Sequence, residues 1–551
     1  MALGPRLSGA RLAALAIGFV IGAPIVVVLT RVGADSGGLW EHLASTVLPR
    51  YLYNTLWLVV GVSVLSALLG VSSAWLVTVC RFPGRSFFRW ALLLPLAVPT
   101  YLSAYAYTDL LQFSGPVQSA LRSVFGWQAG DYWFPAVRSL PGAIVVLALC
   151  LYPYVYLASR AAFTEQSVCL LEAGRTLGLD RWRSFFRLGL PLARPSIAAG
   201  TALVLMETLA EFGAVQYFAV DTFATGIYRA FTLPNDFALV AAAQLSTCLL
   251  VLALVLLALE AYARRAARYH HMSSRYRTVT SWRLEGAWAA AASAVCALPV
   301  TFGFALPFFL FVWKSRVAGD VRAREVFIEY GTNSLVLAAA ASGIAVLLAL
   351  VMTLCQRIER SRIVDACARW AGTGYAIPGG VIAIGILVVV AWVDRRLAAI
   401  RRLLFGSSGG LLLSGSPAAM LYGYQTRFLA VALQLLRAGM SRIRPSFEDA
   451  GRTLGATPWQ LLRRLHFPLL RTTLLAAVIL VFVDVIKELP ATLILRPFGY
   501  ETLAVRVYQL ASDERLSEAS TGALAMVVLG MLPVVFLSRT MDRAGAERAG
   551  S

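Results

Sequence analysis

Lysine is almost missing from this 551-residue chain: Lys314 and Lys487 are the only two. A phosphate-binding Walker loop needs Gly-Lys-Ser/Thr, because its lysine reaches the terminal phosphates and its hydroxyl holds magnesium. Lys314 follows Trp313 and Lys487 follows Ile486, so no such loop can be written and no nucleotide site is expected here. Histidine is scarce too. His42, His270, His271 and His466 stand at no metal-ligand spacing, and seven scattered cysteines include no Cys-x-x-Cys pair. Neither a disulfide framework nor a thiolate metal site is expected, and the sequence assigns no metal ligand. No Ser/His/Asp or Cys/His set stands out, so no catalytic residue is assigned and an enzyme is disfavoured. Charge is thin as well, at 14% of residues, although it sums to a formal +20. The basic residues lie in short stretches between apolar runs, with no basic soluble domain to carry a nucleic-acid partner. Membrane lipid headgroups account for them more simply.

Apolar residues are what the chain has in excess: 59% of the total, with a mean hydropathy of +0.71. About 18 such residues in a row suffice to cross a bilayer. Residues 12–29 carry no charge and are bracketed by Arg11 and Arg31. They lack a clear small-residue cleavage site, and so read as a first membrane helix rather than a signal peptide. By the same length criterion, spans are expected near 12–30, 52–79, 88–111, 141–160, 196–218, 237–260, 287–312, 333–355, 372–393, 417–436, 472–495 and 520–538. The fold class is therefore all-α polytopic membrane protein with about 12 transmembrane helices. Placing both termini in the cytoplasm puts about 31 Lys/Arg on that side and about 16 outside, as the positive-inside rule requires. Arg395, Arg396, Arg401 and Arg402 fall on the wrong side.

An internal repeat organises these spans. Glu172-Ala173-Gly174-Arg175-Thr176-Leu177-Gly178 returns as Asp449-Ala450-Gly451-Arg452-Thr453-Leu454-Gly455, 277 positions later. That offset also pairs Trp182 with Trp459, Arg187 with Arg464, Pro191 with Pro468, Arg194 with Arg471, Glu207 with Asp484 and Glu211 with Glu488. Asn54 pairs with Asn333 at a slightly different offset. Six spans per copy is an even number, so both copies face the same way, as parallel repeats. The expected division is 1–262, an Arg-rich cytoplasmic linker at 263–286, and 287–551. Each copy carries an amphipathic loop, 165–194 and 442–471. Their punctuation predicts helix, glycine turn, helix, broken at Gly178 and Gly455 and stopped at Pro191 and Pro468.

Both loops resemble the EAA loop of ATP-binding-cassette importer permeases: Glu-Ala-Ala, a Gly a few residues on, then Leu-Pro. The matching residues are Glu172, Ala173, Gly174, Gly178 and Pro191, and Asp449, Ala450, Gly451, Gly455 and Pro468, with Gly for the second Ala in both copies. The second copy also has Asp for Glu, and Phe467 before Pro468 where the motif has Leu. The resemblance covers roughly 50–260 and 330–540 and implies a type I importer fold of two parallel six-helix repeats in the bacterial inner membrane. It implies coupling helices at these residues, anchored by or reaching the partner through Arg175 and Arg452. It also implies two ATP-binding-cassette ATPase subunits that bind ATP and Mg, and a periplasmic substrate-binding protein.

Ionisable residues inside a span are costly and commonly functional. Glu207 and Glu211 are spaced i,i+4, as are Asp484 and Glu488, with Lys487 beside them; this spacing predicts one helix face per pair. If a pseudo-twofold axis relates the repeats, these residues line the translocation path of a cation. The alternative is that they pair with Lys487 or Arg427, or bond nearby backbone. The stretches 487–497 and 207–213, with Thr225 to Arg229, Thr502 to Ala504 and Tyr508, resemble fused ferric-iron permeases. Ferric iron is a hard cation suited to oxygen ligands. Thiamine permeases share the fused plan and are the nearest alternative. A secondary transporter can also hold two six-helix repeats, yet would have no use for duplicated coupling loops.

Overall fold

A backbone crossing hydrocarbon must satisfy its own N–H and C=O groups, which a helix does within one segment. The structure, a computed structural model, describes residues 9–165, 181–265, 282–317, 321–359, 361–406, 412–441 and 443–549, and they are overwhelmingly helical. The first-half helices that matter here are α1 (Gly9–Thr30), α2 (Leu48–Val79), α3 (Thr100–Leu111), α4 (Pro116–Phe125), α5 (Leu140–Glu165), α6 (Leu190–Ala210) and α7 (Ala238–Arg265). Those of the second half are α8 (Gly286–Val300), α9 (Leu306–Val317), α10 (Val321–Ile358), α11 (Arg362–Ala371), α12 (Gly379–Phe405) and α13 (Pro417–Ser441). They are followed by α14 (Pro445–Thr453), α15 (Phe467–Lys487) and α16 (Leu516–Ala549).

Among the described residues, nine helices are long and apolar enough to cross a membrane, or up to eleven if each of two bent pairs is one span. The pairs are Arg85–Ala97 with Thr100–Phe125, bent by 91°, and Arg362–Ala376 with Gly379–Phe405, bent by 118°. They fall where spans 88–111 and 372–393 are expected. Proline makes both bends: Pro99 (φ −56°, ψ 138°) precedes α3 and Pro378 (φ −54°, ψ 138°) precedes α12. A proline at this junction cannot donate to a helix arriving from the N-terminal side, but it can open a new one. The expected span 417–436 is the helix α13, which is not among the nine; it buries Gln425, Thr426 and Arg427 near its middle.

The chain divides into two compact units, neither continuous in sequence. One comprises Met1–Trp40, Ile227–Cys248 and Arg324–Arg506. Here α1 packs on α11 and α12 of the second repeat. Gly385 lies so close beneath α1 that an added Cβ would stand 2.3 Å from the Pro24 carbonyl. The Tyr422 hydroxyl donates to Val20 O at 2.5 Å, and Arg11 pairs with Glu359. From α7, Thr247 Oγ1 donates to Val28 O at 3.3 Å.

The other unit comprises Glu41–Gly226, Leu249–Ala323 and Val507–Ser551. Its centre is α2, α5 and α6, held close by small residues as membrane helices commonly are. A Cβ added at Gly70 or at Gly200 would lie 2.8 or 2.9 Å from atoms of Val155. The outward residues Trp57, Val60, Val64 and Leu68 of α2 are exposed and apolar, while Thr55, Ser66 and Ser73 face inward. The α8–α9 segment of the second repeat packs here: Lys314 Nζ lies 2.9 Å from Asp109, and the Tyr107 hydroxyl donates to Phe302 O. A two-residue parallel ladder pairs Cys80 with Trp282 and Arg81 with Arg283.

Within its own unit each repeat core reproduces the same tie. Asn54 Nδ2 donates to Asp221 O at 2.9 Å, and Asn333 Nδ2 to Glu501 O at 3.2 Å. The next residue repeats too: Phe223 N donates to Thr55 Oγ1 at 3.3 Å, and Leu503 N to Ser334 Oγ at 2.7 Å.

Candidate functional site

Two features in each repeat carry the candidate chemistry: the amphipathic loop and the acidic end of the span that follows it. Glu172, Ala173, Gly174, Arg175 and Gly178 lie outside the described residues, so the loop is seen in its second copy. Pro445 opens α14 with its φ already helical. After Leu454 the backbone turns left-handed at Gly455 (φ +79°). Gly455 N donates to Arg452 O at 3.0 Å and Ala456 N to Gly451 O at 3.0 Å, the paired closure that ends a helix on glycine. Two residues on, Thr457 N donates to Gln460 Oε1 at 2.8 Å and Gln460 N to Thr457 Oγ1 at 3.3 Å. That reciprocal cap starts the next helix at Pro458. Helix, glycine turn, helix is thus the local structure.

Pro468 and Pro191 do not stop the helices, contrary to the sequence expectation. Pro468 lies in the first turn of α15 and Pro191 in that of α6, each preceded by a widened five-residue π turn, Leu462–His466 and Phe185–Gly189. The wider turn relieves the clash between the proline ring and the preceding carbonyls, so the helix runs on.

The loop is fastened by a residue the motif did not indicate. Asp449, in register with Glu172, is exposed, as are Ala450 and Arg452. Its neighbour Glu448 is 5% exposed, accepts from Arg357 Nε at 2.7 Å, and lies 3.3 Å from His466 Nε2. Arg357 also donates to Ile443 O at 2.7 Å, gripping the start of the loop from the end of α10. A buried charge left without its partner costs about 3–5 kcal/mol, so this triad sets the position of α14 firmly. The position of His466 is filled differently in the first repeat. Gly189 stands in register with His466 and lies against Trp75, whose ring packs on Phe163 and Phe185 at 5.2 and 5.0 Å. That His-for-Gly exchange is visible in the sequence once the repeats are aligned; Arg357 sent no comparable signal. Phe447, Leu454 and Trp459 are exposed apolar side chains on or beside α14.

The second feature corrects the expected helix face. α6 ends at Ala210 and α15 at Lys487, so Glu211 and Glu488 lie just beyond the helices and do not share a face with Glu207 and Asp484. Their backbones match closely: φ −71°, ψ 121° and φ −68°, ψ 118°. Each carboxylate then caps the chain ahead of it. Glu211 Oε1 accepts from Ala214 N at 2.9 Å, and Glu488 Oε1 from Ala491 N at 3.1 Å. A carboxylate at this place satisfies an orphan amide and suits the positive end of the short helix that follows. Glu207, Asp484 and Lys487 sit half-buried on the last turns before the breaks.

The partners of the two caps differ. Thr100 Oγ1 donates to Glu211 Oε2. In the second repeat Gly379 takes the place of Thr100, after Pro378 as Thr100 follows Pro99. A Cβ there would stand 2.3 Å from Arg427 Nη1 and 2.6 Å from Glu488 Oε1. The glycine makes room for the guanidinium, which donates to Glu488 at 3.3 Å with both side chains buried. Among the described residues, no group of three or more His, Cys, Asp or Glu is placed to hold a metal ion.

Comparison with known proteins agrees with this duplicated plan. Residues 66–269 and 300–548 each match the family described as binding-protein-dependent transport system inner membrane component. The chain is 25% identical to an Fe(3+)-transport system permease protein of Haemophilus influenzae, over 95% of this chain and 96% of that protein. It is 31% identical to a molybdenum transport system permease protein of Escherichia coli, over 36% of this chain and 86% of the other. A sulfate transport system permease protein of the same species is 28% identical, over 33% and 62%. With two family matches that together span most of its length, and helices suited to cross a membrane many times, this chain belongs to the binding-protein-dependent transport system inner membrane components, as a fused, multi-pass permease.

Proposed function

We propose that this chain is the membrane subunit of an ATP-driven importer for ferric iron. The observation that supports iron is a relative carrying that function in its name and aligned over almost the whole of both chains, duplicated halves included. In this reading ATPase subunits dock at 165–194 and 442–471, where the second copy offers exposed Phe447, Leu454 and Trp459 around a rigidly fastened helix. ATP and Mg are bound by those partners, and a soluble binding protein delivers iron from the other face, with both termini of this chain in the cytoplasm. Closure of the ATPases moves the coupling helices and exposes the cavity to alternate sides, a rigid-body switch. Glu207, Glu211, Asp484, Lys487 and Glu488 lie near the path, their carboxylates being suitable oxygen donors for a hard cation.

A second reading, an oxyanion as cargo, draws on the molybdenum and sulfate permeases, which match one segment at higher identity. Uptake into proteoliposomes holding the permease, its ATPase and its binding protein tests both. ATP-dependent accumulation of labelled ferric iron, without molybdate, sulfate or thiamine, is the expected result. Accumulation of molybdate would move the assignment to the second reading, and transport driven by an ion gradient without the ATPase would remove the importer mechanism.

A further inference from the structure

The four arginines that contradict the positive-inside distribution, Arg395, Arg396, Arg401 and Arg402, are gathered near the end of α12. The chain path settles which end of the repeat this is. α12 ends at Phe405, α13 runs from Pro417 to Ser441, and the coupling helix α14 begins at Pro445. One helix about 37 Å long therefore separates the arginines from the coupling segment. Residues 379–393 of α12 are free of charge and cover about 22 Å, so residues 394–405 carry the helix about 18 Å further.

This extension is built rigidly. Asp394, 2% exposed, marks its base and accepts from Leu412 N, Leu413 N and Ser414 N at 3.2, 2.9 and 2.8 Å, and from Ser414 Oγ at 2.6 Å. Asp394, the only acidic residue in the sequence from 379 to 447, is thus engaged with the returning backbone. Among the described residues, none of the four arginines has an ion-pair partner. Arg395, Arg396 and Arg402 are exposed, and the Arg396 guanidinium lies 5.4 Å above the Trp392 ring. Leu403, Leu404 and Phe405 follow at the tip, 86, 65 and 75% exposed. An interfacial lipid anchor would hold its apolar residues toward the span; here they lie farthest from it, with the arginines between. In the first repeat the corresponding connection, residues 112–139, keeps its two arginines occupied: Arg122 on Tyr132 and Phe113, and Arg138 with Glu514.

We propose that this arginine-and-leucine tip is a docking surface for an acidic, partly apolar face of the soluble binding protein on the side opposite the coupling helices. The proposal rests on the importer reading above. Exposed charge at an interface rim acts chiefly on association rate and salt dependence.

The test uses the full-length permease–ATPase complex in nanodiscs and the binding protein that supports ATP-driven uptake by the unsubstituted chain. R395E/R396E/R402E is expected to weaken their association about tenfold or more and to flatten its salt dependence, with basal ATP hydrolysis unchanged. R395K/R396K/R402K should keep both, and R395Q/R396Q/R402Q gives the same comparison if the acidic variant fails to assemble. Unchanged affinity and salt slope in the charge-removing variants overturn the proposal alone. So does a defect that follows anionic lipid content while binding-protein affinity is preserved, which would make the tip a lipid contact. If no soluble protein supports uptake by the unsubstituted chain, the importer reading falls and this proposal with it.

Discussion

Thr100 and Gly379 occupy one position in two copies of the same fold, and the presence or absence of a side chain there decides what each copy can hold. With Thr100 the Glu211 carboxylate receives a hydroxyl; with Gly379 the Glu488 carboxylate receives a guanidinium. Gly379→Thr should therefore displace Arg427 and leave a buried charge unpartnered, destabilising the protein by about 3–5 kcal/mol in a detergent unfolding measurement. Arg427→Met combined with Glu488→Gln should cost much less, because removing both charges leaves neither buried alone. A second asymmetry is conformational. Ala219 is held at φ +56° where the second repeat has Gly499 at φ +75°. A left-handed alanine costs about 1–2 kcal/mol, and glycine loses about 0.5–1 kcal/mol more entropy on folding, so Ala219→Gly should stabilise by about 0.5–1 kcal/mol. A lower melting temperature for that variant would count against the strain.

At the scale of elements, the amphipathic segment around α14 stands on a glycine turn, a reciprocal cap and a buried acidic anchor. Gly455→Val places a β-branched residue at φ +79° and should destabilise the turn by about 1–3 kcal/mol, visible as faster proteolysis between α14 and α15. Glu448→Gln weakens the grip of Arg357 without changing shape. Transport per ATP hydrolysed should fall several-fold while basal hydrolysis and assembly persist; an unchanged transport-to-hydrolysis ratio would mean the anchor plays no part in coupling. The glycine break was legible in the amino-acid order, since Gly after a polar helix has few other uses. The anchor was not. Glu448 precedes the motif residue by one, and on a helix one step turns a side chain about 100° toward another neighbour.

For the whole molecule, each compact unit draws on both repeats: α1 packs with α11 and α12, and α8–α9 with the first-repeat helices. Fragments 1–265 and 282–551 made separately should each be unstable, exposing faces such as that beneath Pro24, and should recover assembly and uptake when made together. Stable, monodisperse fragments would contradict that interdependence.

Many membrane crossings, two copies facing the same way, and the helix–glycine–helix loop seen in the second copy could all be read from the amino-acid order, because hydropathy, charge bias and glycine punctuation act locally and need no knowledge of neighbours. It took the folded chain to bring Arg427 to Glu488 and Thr100 to Glu211, and to bury Glu448 rather than Asp449. It alone showed that the helices break at Glu211 and Glu488 and continue through Pro191 and Pro468. Those outcomes depend on which groups come within about 3 Å across segments 60 to 110 residues apart, a distance at which the order of residues along the chain carries no geometry.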